Sequence, residues 1–178
     1  MTDALAAHVA ELCARAPVAA RAVAQLTDAQ RQHALHAAAD ALAAAGDAIR
    51  AANARDVAQA ECDGLAPAMV DRLRLDGKRL DGVIADLRAV AALPDPVGAV
   101  LEERTIAQGV RAQKLAVPIG VVAIIFESRP NVTVDTAALC LRSGNACILR
   151  GGKEAVFSNQ ALATAFRAGL ATVGVPQD

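Results

Sequence analysis

Two polar stretches stand out in a chain that is otherwise rich in alanine. One is Phe126-Glu127-Ser128-Arg129-Pro130-Asn131; the other is Arg150-Gly151-Gly152-Lys153. Each follows a β-branched run, so each reads as the loop at the carboxyl end of a strand. In an open parallel sheet, that is where ligands bind. In the second loop, two adjacent glycines put no Cβ between the backbone and a ligand. Arg150 and Lys153 offer charge and donors for anionic oxygens. Capture of a phosphorylated ligand suits this set; a left-handed turn flanked by two solvated cations is the competing role. Neither G-x-G-x-x-G nor GxxxxGK[ST] is present, so neither the usual dinucleotide fingerprint nor a P-loop can be claimed.

In the first loop, Asn131 precedes a helix. It can cap that helix or aim its amide at a developing oxyanion. Arg129 can grip a carboxylate or phosphate, or pair with Glu127. His33 and His36 stand three apart on a helix, but no carboxylate or cysteine completes a metal set. They read as two solvated histidines, and no metal is expected. Cys13, Cys62, Cys140 and Cys147 form no CxxC pair and no disulfide scaffold. Cys140 and Cys147 read as small core residues rather than nucleophiles.

The elements that must position these loops follow from periodicity. Residues 1–93 read as helical. Leu5, Val9, Leu12 and Cys13 share one face of a first helix, which Pro17 is expected to close. Thr27-Asp28-Ala29-Gln30 matches a capping box and opens a long helix with Leu35, Ala38, Ala39, Leu42 and Ile49 as its buried stripe, continuing towards Ala60. Cys62-Asp63-Gly64 breaks it. A short helix around Met69, Val70 and Leu73 follows, then one carrying Leu80, Val83, Ile84, Leu87 and Val90. "LPDPVG" (93–98) cannot continue a helix. Residues 99–117 fit a hairpin, with arms near 100–106 and 110–117. "IGVVAIIF" (119–126) reads as a strand buried on both faces. A helix over 132–142 follows, with Gly144 just past its end, and then a short strand at 146–149. Ser158 is placed to cap a last helix with Leu162, Phe166 and Leu170. This β-α-β-α order is the start of a doubly wound parallel sheet.

The 178 residues carry a net charge of −1, with no Trp, no Tyr and three Phe. Basic arms and base-stacking surfaces are excluded, so no nucleic-acid partner is expected. No apolar run reaches the ~18 residues of a membrane span. The first residues lack the basic region of a secretory signal. A cytoplasmic protein with reduced thiols is expected.

At "VPIGVVAIIFESRPNVTVDTAALCLRSGNACILRGGKEAVFSN" (117–159) the chain closely resembles the γ-glutamyl phosphate reductase (glutamate-5-semialdehyde dehydrogenase) family of the aldehyde dehydrogenase superfamily. The helical first half and "LPDPVGAV" are similar to it as well. The resemblance implies an α/β, aldehyde-dehydrogenase-like fold. Residues 1–98 would be the helical N-terminal part of the cofactor domain, 99–118 a β-hairpin used in oligomerisation, and 119–178 the first βαβα of the dinucleotide-binding sheet. It implies NADPH-dependent reduction of L-glutamyl 5-phosphate to L-glutamate 5-semialdehyde with release of phosphate, in cytoplasmic proline biosynthesis, by a homo-oligomer linked functionally to glutamate 5-kinase. The implied route is covalent: a cysteine thiolate forms a thioacyl enzyme that hydride resolves. The implied cofactor contacts are Phe126, Glu127, Ser128, Arg150, Gly151, Gly152 and Lys153. Most relatives have Asn before the Pro, where this chain reads Arg129-Pro130-Asn131, so Arg129 or Asn131 holds the place of the superfamily's oxyanion asparagine; Asn131 is taken as the oxyanion donor and Arg129 as a substrate contact.

NAD-using relatives tend to carry an acid at the place of Lys153, to accept from the ribose 2′-hydroxyl. A lysine there favours a 2′-phosphate, hence NADP. None of the four cysteines matches the family's nucleophile, which lies in a catalytic domain absent from these residues. The chain therefore resembles an N-terminal part of the enzyme and is expected to be inactive alone. Another aldehyde or acyl-phosphate oxidoreductase of this fold, or a non-catalytic nucleotide-binding fragment, is the alternative.

Overall fold

The structure, a computed structural model, describes residues 2–177. Its order is α1 (Thr2–Ala24), α2 (Asp28–Ala44), α3 (Gly46–Cys62), α4 (Pro67–Leu73), α5 (Gly77–Ala91), β1 (Val100–Thr105), β2 (Arg111–Leu115), β3 (Val121–Ile125), α6 (Asn131–Arg142), β4 (Ala146–Arg150) and α7 (Val156–Thr172).

The capping box forms at the start of α2. The Thr27 hydroxyl accepts from the Gln30 N–H at 3.2 Å, and the Gln30 carboxamide oxygen accepts from the Thr27 N–H at 2.8 Å. The expected stripe Leu35, Ala38, Ala39, Leu42 and Ile49 is fully buried. The single long helix is not formed. It splits at Ala45 (φ −86°, ψ 6°), where Gly46 lowers helix propensity and Asp47 favours a new helix start.

Nor does Pro17 end α1, which runs through it to Ala24. Pro17 costs an interior helix about 3 kcal/mol. Continuing the helix buries Ala19 and Ala20 against Ala146 and Val121, and Val23 in the main core. The face expected to be buried is turned outward, with Leu5 and Val9 exposed; Ala16, Ala19, Ala20 and Val23 are inside instead.

One core joins the two halves of the chain. Leu35 and Leu42 of α2, Leu80 and Leu87 of α5, Val134 and Leu141 of α6, and Leu162, Phe166 and Leu170 of α7 share it. Helices α2 and α7 cross closely at Gly169, where an added methyl would sit 2.5 Å from Ala38 Cα. Two buried arginines tie the 93–97 linker to this body. Arg31 donates to both Asp95 oxygens at 2.7 Å, and Arg142 donates to the Leu93 carbonyl and to Asp28. Burial pushes the Asp95 carboxyl up, but the Val97 N–H and Arg31 outweigh it and hold the group below its ordinary range.

Strands β1 and β2 form the expected hairpin, antiparallel with Glu103 opposite Gln113 and Thr105 opposite Arg111. It turns through Gln108 and Gly109, and the side chains of β1 are exposed. Strands β3 and β4 are parallel and joined by α6, with Val121 opposite Ala146 and Ile125 opposite Arg150. The expectation that β3 is buried on both faces fails: Ile125 is 79% exposed. On the face of residues 121, 123 and 125, α1 packs against Val121, while Ala123 and Ile125 stay exposed.

Candidate functional site

The parallel register sets the two polar loops side by side. The Phe126 N–H donates to the Arg150 carbonyl at 3.1 Å, extending the ladder one step past β3. Between these loops and α4 lies a cavity of about 290 Å³. Leu65, Met69, Leu73 and Phe126 give it an apolar wall; Arg72, Glu127, Ser128, Arg150, Gly152 and Glu154 give it a polar one. An apolar cleft with a few convergent polar groups is the usual form of a small-molecule site.

The glycine pair has a different role from the one its sequence suggests. Neither residue adopts a left-handed φ, so this is not the turn considered as the competing role. The loops pack too tightly on one another for any side chain. A methyl on Gly152 would strike Ser128 Oγ and come within 3.0 Å of the Ser128 nitrogen. One on Gly151 would strike the Asn159 amide and lie 3.1 Å from the Phe126 ring. The space expected for a ligand's close approach is thus filled by loop 126–128 and Asn159.

Across that contact, the Ser128 hydroxyl donates to the Glu154 carboxylate. This bond is the main reason the Glu154 carboxyl lies below its ordinary range. Its own backbone N–H and the charges of Lys153 and Arg150 add to the effect, against burial. The cavity therefore holds a carboxylate at neutral pH.

The remaining expected site residues divide. Phe126, Glu127, Ser128, Arg150 and Gly152 all line the cavity; Gly151, Lys153, Arg129 and Asn131 are not among its walls. Lys153 is exposed at the start of a 3-10 turn, Lys153–Ala155. Glu127 Oε2 lies 3.8 Å from Arg72 Nη1 and 4.0 Å from Arg129 Nε, both at the long limit of an ion pair. Asn131 does not cap α6. It is already helical, with Pro130 in the cap position, and its Nδ2 donates to Asp135 Oδ2 at 2.9 Å. Burial pushes the Asp135 carboxyl up, the Asn131 bond opposes this, and Asp86 adds to it.

Ser158 is not the cap of α7 either. The helix starts at Val156, and Asp56 of α3 takes that role. It accepts from the Phe157 N–H at 3.2 Å, the Ser158 N–H at 2.7 Å and the Ser158 hydroxyl at 2.5 Å. Next to it, Arg55 stacks on the Phe157 ring with its guanidinium carbon 3.8 Å from the ring centre. Helix α3 thereby anchors the segment that follows the glycine loop.

Sequence reasoning missed Glu154 and the residues from Leu65 to Leu73. Glu154 had a signal, since it adjoins Lys153; the α4 residues had none. The neighbouring Cys140 thiol, together with burial, pushes the Cys147 thiol up. None of the four cysteines lines the cavity. His33 and His36 are exposed on α2, and no group of three or more potential metal ligands occurs among the described residues. Nor is any helix among those residues long and apolar enough to cross a membrane.

Solved structures match this architecture. The γ-glutamyl phosphate reductase of Thermotoga maritima superposes on 94% of the chain with a TM-score of 0.90 and 38% identity; the chain covers 40% of that protein. The γ-glutamyl phosphate reductase of Saccharomyces cerevisiae matches 93% of the chain with a TM-score of 0.88 and 34% identity, and 43% of it is covered. A "probable aldehyde dehydrogenase" of Listeria monocytogenes shares the fold at a TM-score of 0.69 and 16% identity, over 95% of this chain and 34% of its own. No family model matches. The chain spans about two fifths of the length of the reductases it matches.

Proposed function

We propose that this chain, which has the aldehyde-dehydrogenase-like fold of part of a γ-glutamyl phosphate reductase, forms the cofactor-binding face of an NADPH-dependent reductase. The reaction is reduction of L-glutamyl 5-phosphate to L-glutamate 5-semialdehyde with release of phosphate, in cytoplasmic proline biosynthesis. Glutamate 5-kinase chemistry would supply the acyl phosphate. The observation that carries this reading is the cavity at the carboxyl ends of β3 and β4, lined by Ser128, Arg150 and Glu154.

When bound, the nicotinamide cofactor supplies the hydride. The residues of this chain bind and orient it. Phe126 offers an apolar surface, and Glu127 and Ser128 the polar edge of the first loop. The Glu154 carboxylate accepts from a ribose hydroxyl, with Ser128 fixing its position. Arg150 supplies charge-assisted bonds to a phosphate. Gly151 and Gly152 let the two loops lock together. Lys153, exposed beside the cavity rather than in its wall, adds positive charge on the approach of a 2′-phosphate, which favours NADP(H) over NAD(H). Arg129 is the proposed contact for an anionic group of the substrate. Asn131 is the proposed oxyanion donor, its amide held by Asp135 and its second N–H left over for a developing charge.

None of the four cysteines lines the cavity, in keeping with a nucleophile supplied from outside these residues. These 178 residues alone bind cofactor and turn over no acyl phosphate. The exposed hairpin β1–β2 is the proposed contact between copies.

Calorimetric titration of the chain with NADPH and with NADH tests the reading. NADPH binding at least about tenfold tighter, ~1.4 kcal/mol, is the expected result. Equal affinities would remove the role given to Lys153.

A further inference from the structure

The cavity has a second cationic wall to which the cofactor reading gives no role. Arg72, in the last turn of α4, lines the same space as Arg150, Ser128 and Glu154, although it stands more than fifty residues away in sequence. We infer that Arg72 is a specificity-determining residue of this site and takes the 2′-phosphate of a 2′-phosphorylated adenosine nucleotide. The inference rests on the cofactor reading above and refines it.

Three observations carry it. First, Lys153, the cation that sequence alone assigns to the 2′-phosphate, is not among the cavity walls, whereas Arg72 is. Second, Glu154 brings a carboxylate into the same wall as Arg150, held there by the Ser128 hydroxyl. A phosphate dianion arriving beside Glu154 therefore needs a further cation. Third, Arg72 has donors to spare. Its ion pair with Glu127 spans 3.8 Å, beyond hydrogen-bond length, and its side chain is 54% exposed. Glu127 in turn is shared with Arg129 at 4.0 Å and is itself mostly exposed. Such loose, solvated pairs contribute about 0–1 kcal/mol, so releasing Arg72 costs little. A guanidinium matches phosphate with two parallel N–H···O bonds, which a lysine cannot reproduce. The apolar wall of Leu65, Met69 and Leu73 on the same α4 side would receive the adenosine body.

The test compares adenosine 2′,5′-bisphosphate with 5′-AMP, which lacks only the 2′-phosphate, by calorimetry on the full chain. Wild type is expected to prefer the bisphosphate. Arg72→Gln is expected to weaken bisphosphate binding about tenfold and to leave 5′-AMP binding unchanged, which also shows that the variant is folded. Arg72→Lys should recover part of the preference. If wild type discriminates and Arg72→Gln discriminates equally well, the role of Arg72 is overturned and the cofactor reading stands. If wild type binds the two alike, or binds neither, the NADP reading fails and the role of Arg72 fails with it.

Discussion

At the scale of single residues, Asp56 does for α7 what the start of that helix cannot do for itself. The first turn of α7 presents N–H groups with no side-chain cap of its own, and Asp56, almost wholly buried on α3, accepts from two of them and from the Ser158 hydroxyl. Asn53 completes the arrangement. Its amide donates to the Leu73 carbonyl at 2.7 Å and to Ser158 Oγ at 3.0 Å, while its oxygen accepts from the Leu75 N–H at 2.7 Å. Asp56→Ala would leave two amide groups and a hydroxyl facing the interior without an acceptor. A loss of about 2–3 kcal/mol of stability is expected, read as a lower urea midpoint; an unchanged midpoint would rule out the capping role. No local pattern announces this cap, because donor and acceptor are about a hundred residues apart. The two polar loops were legible for the opposite reason. Each is a contiguous stretch that follows a β-branched run, so their position at the strand ends could be read directly. Arg72 and Glu154 came into view only with the fold, and Asn131 looked like a cap because residue type does not reveal where the first helical turn begins.

At the scale of elements, local chemistry decided most boundaries and packing decided the exceptions. The capping box at Thr27, the Pro/Gly linker at 93–98 and the hairpin were all readable because each depends on residues within a few positions of one another. Pro17 was misleading because the burial that carries α1 past it comes from β3 and β4, more than a hundred residues on. The α2–α7 crossing makes the same point through Gly169. In an isolated helix, Gly to Ala is worth about 1 kcal/mol in favour of alanine. Here the added methyl would lie 2.5 Å from Ala38 Cα and 2.6 Å from the Ala37 carbonyl oxygen. Those atoms are backbone, so relief requires α2 and α7 to move apart across the centre of the core. Overpacking of that kind costs about 1–3 kcal/mol and should outweigh the propensity gain. Gly169→Ala is therefore expected to lower the thermal midpoint, and a raised midpoint would show that the helices separate freely.

At the scale of the whole molecule, the helical first half and the βαβα second half are two parts of one core. Ala34, Leu35, Ala38, Ala39 and Leu42 of α2 are completely buried, in the same cluster as Leu162, Phe166 and Leu170 of α7. Burying a side chain such as leucine is worth about 1.5–3 kcal/mol, so several such residues amount to the entire net stability of an ordinary domain, about 5–15 kcal/mol. The polar groups follow the same logic. Asn53 and Asp56 are buried on α3, and Ser158 and the N–H groups of α7 satisfy much of their hydrogen bonding. A piece ending at residue 98 would keep the α2–α5 contact but lose α6 and α7. It would bare the α7-facing part of α2 and strip Asp56 of its three partners together. The expected outcome is that residues 1–178 unfold in a single cooperative urea transition, followed by circular dichroism, and that residues 1–98 retain helical signal with no cooperative transition. A sharp transition in the shorter piece would mean that α2, α3 and α5 form a core of their own, with the cofactor loops carried on a separate unit.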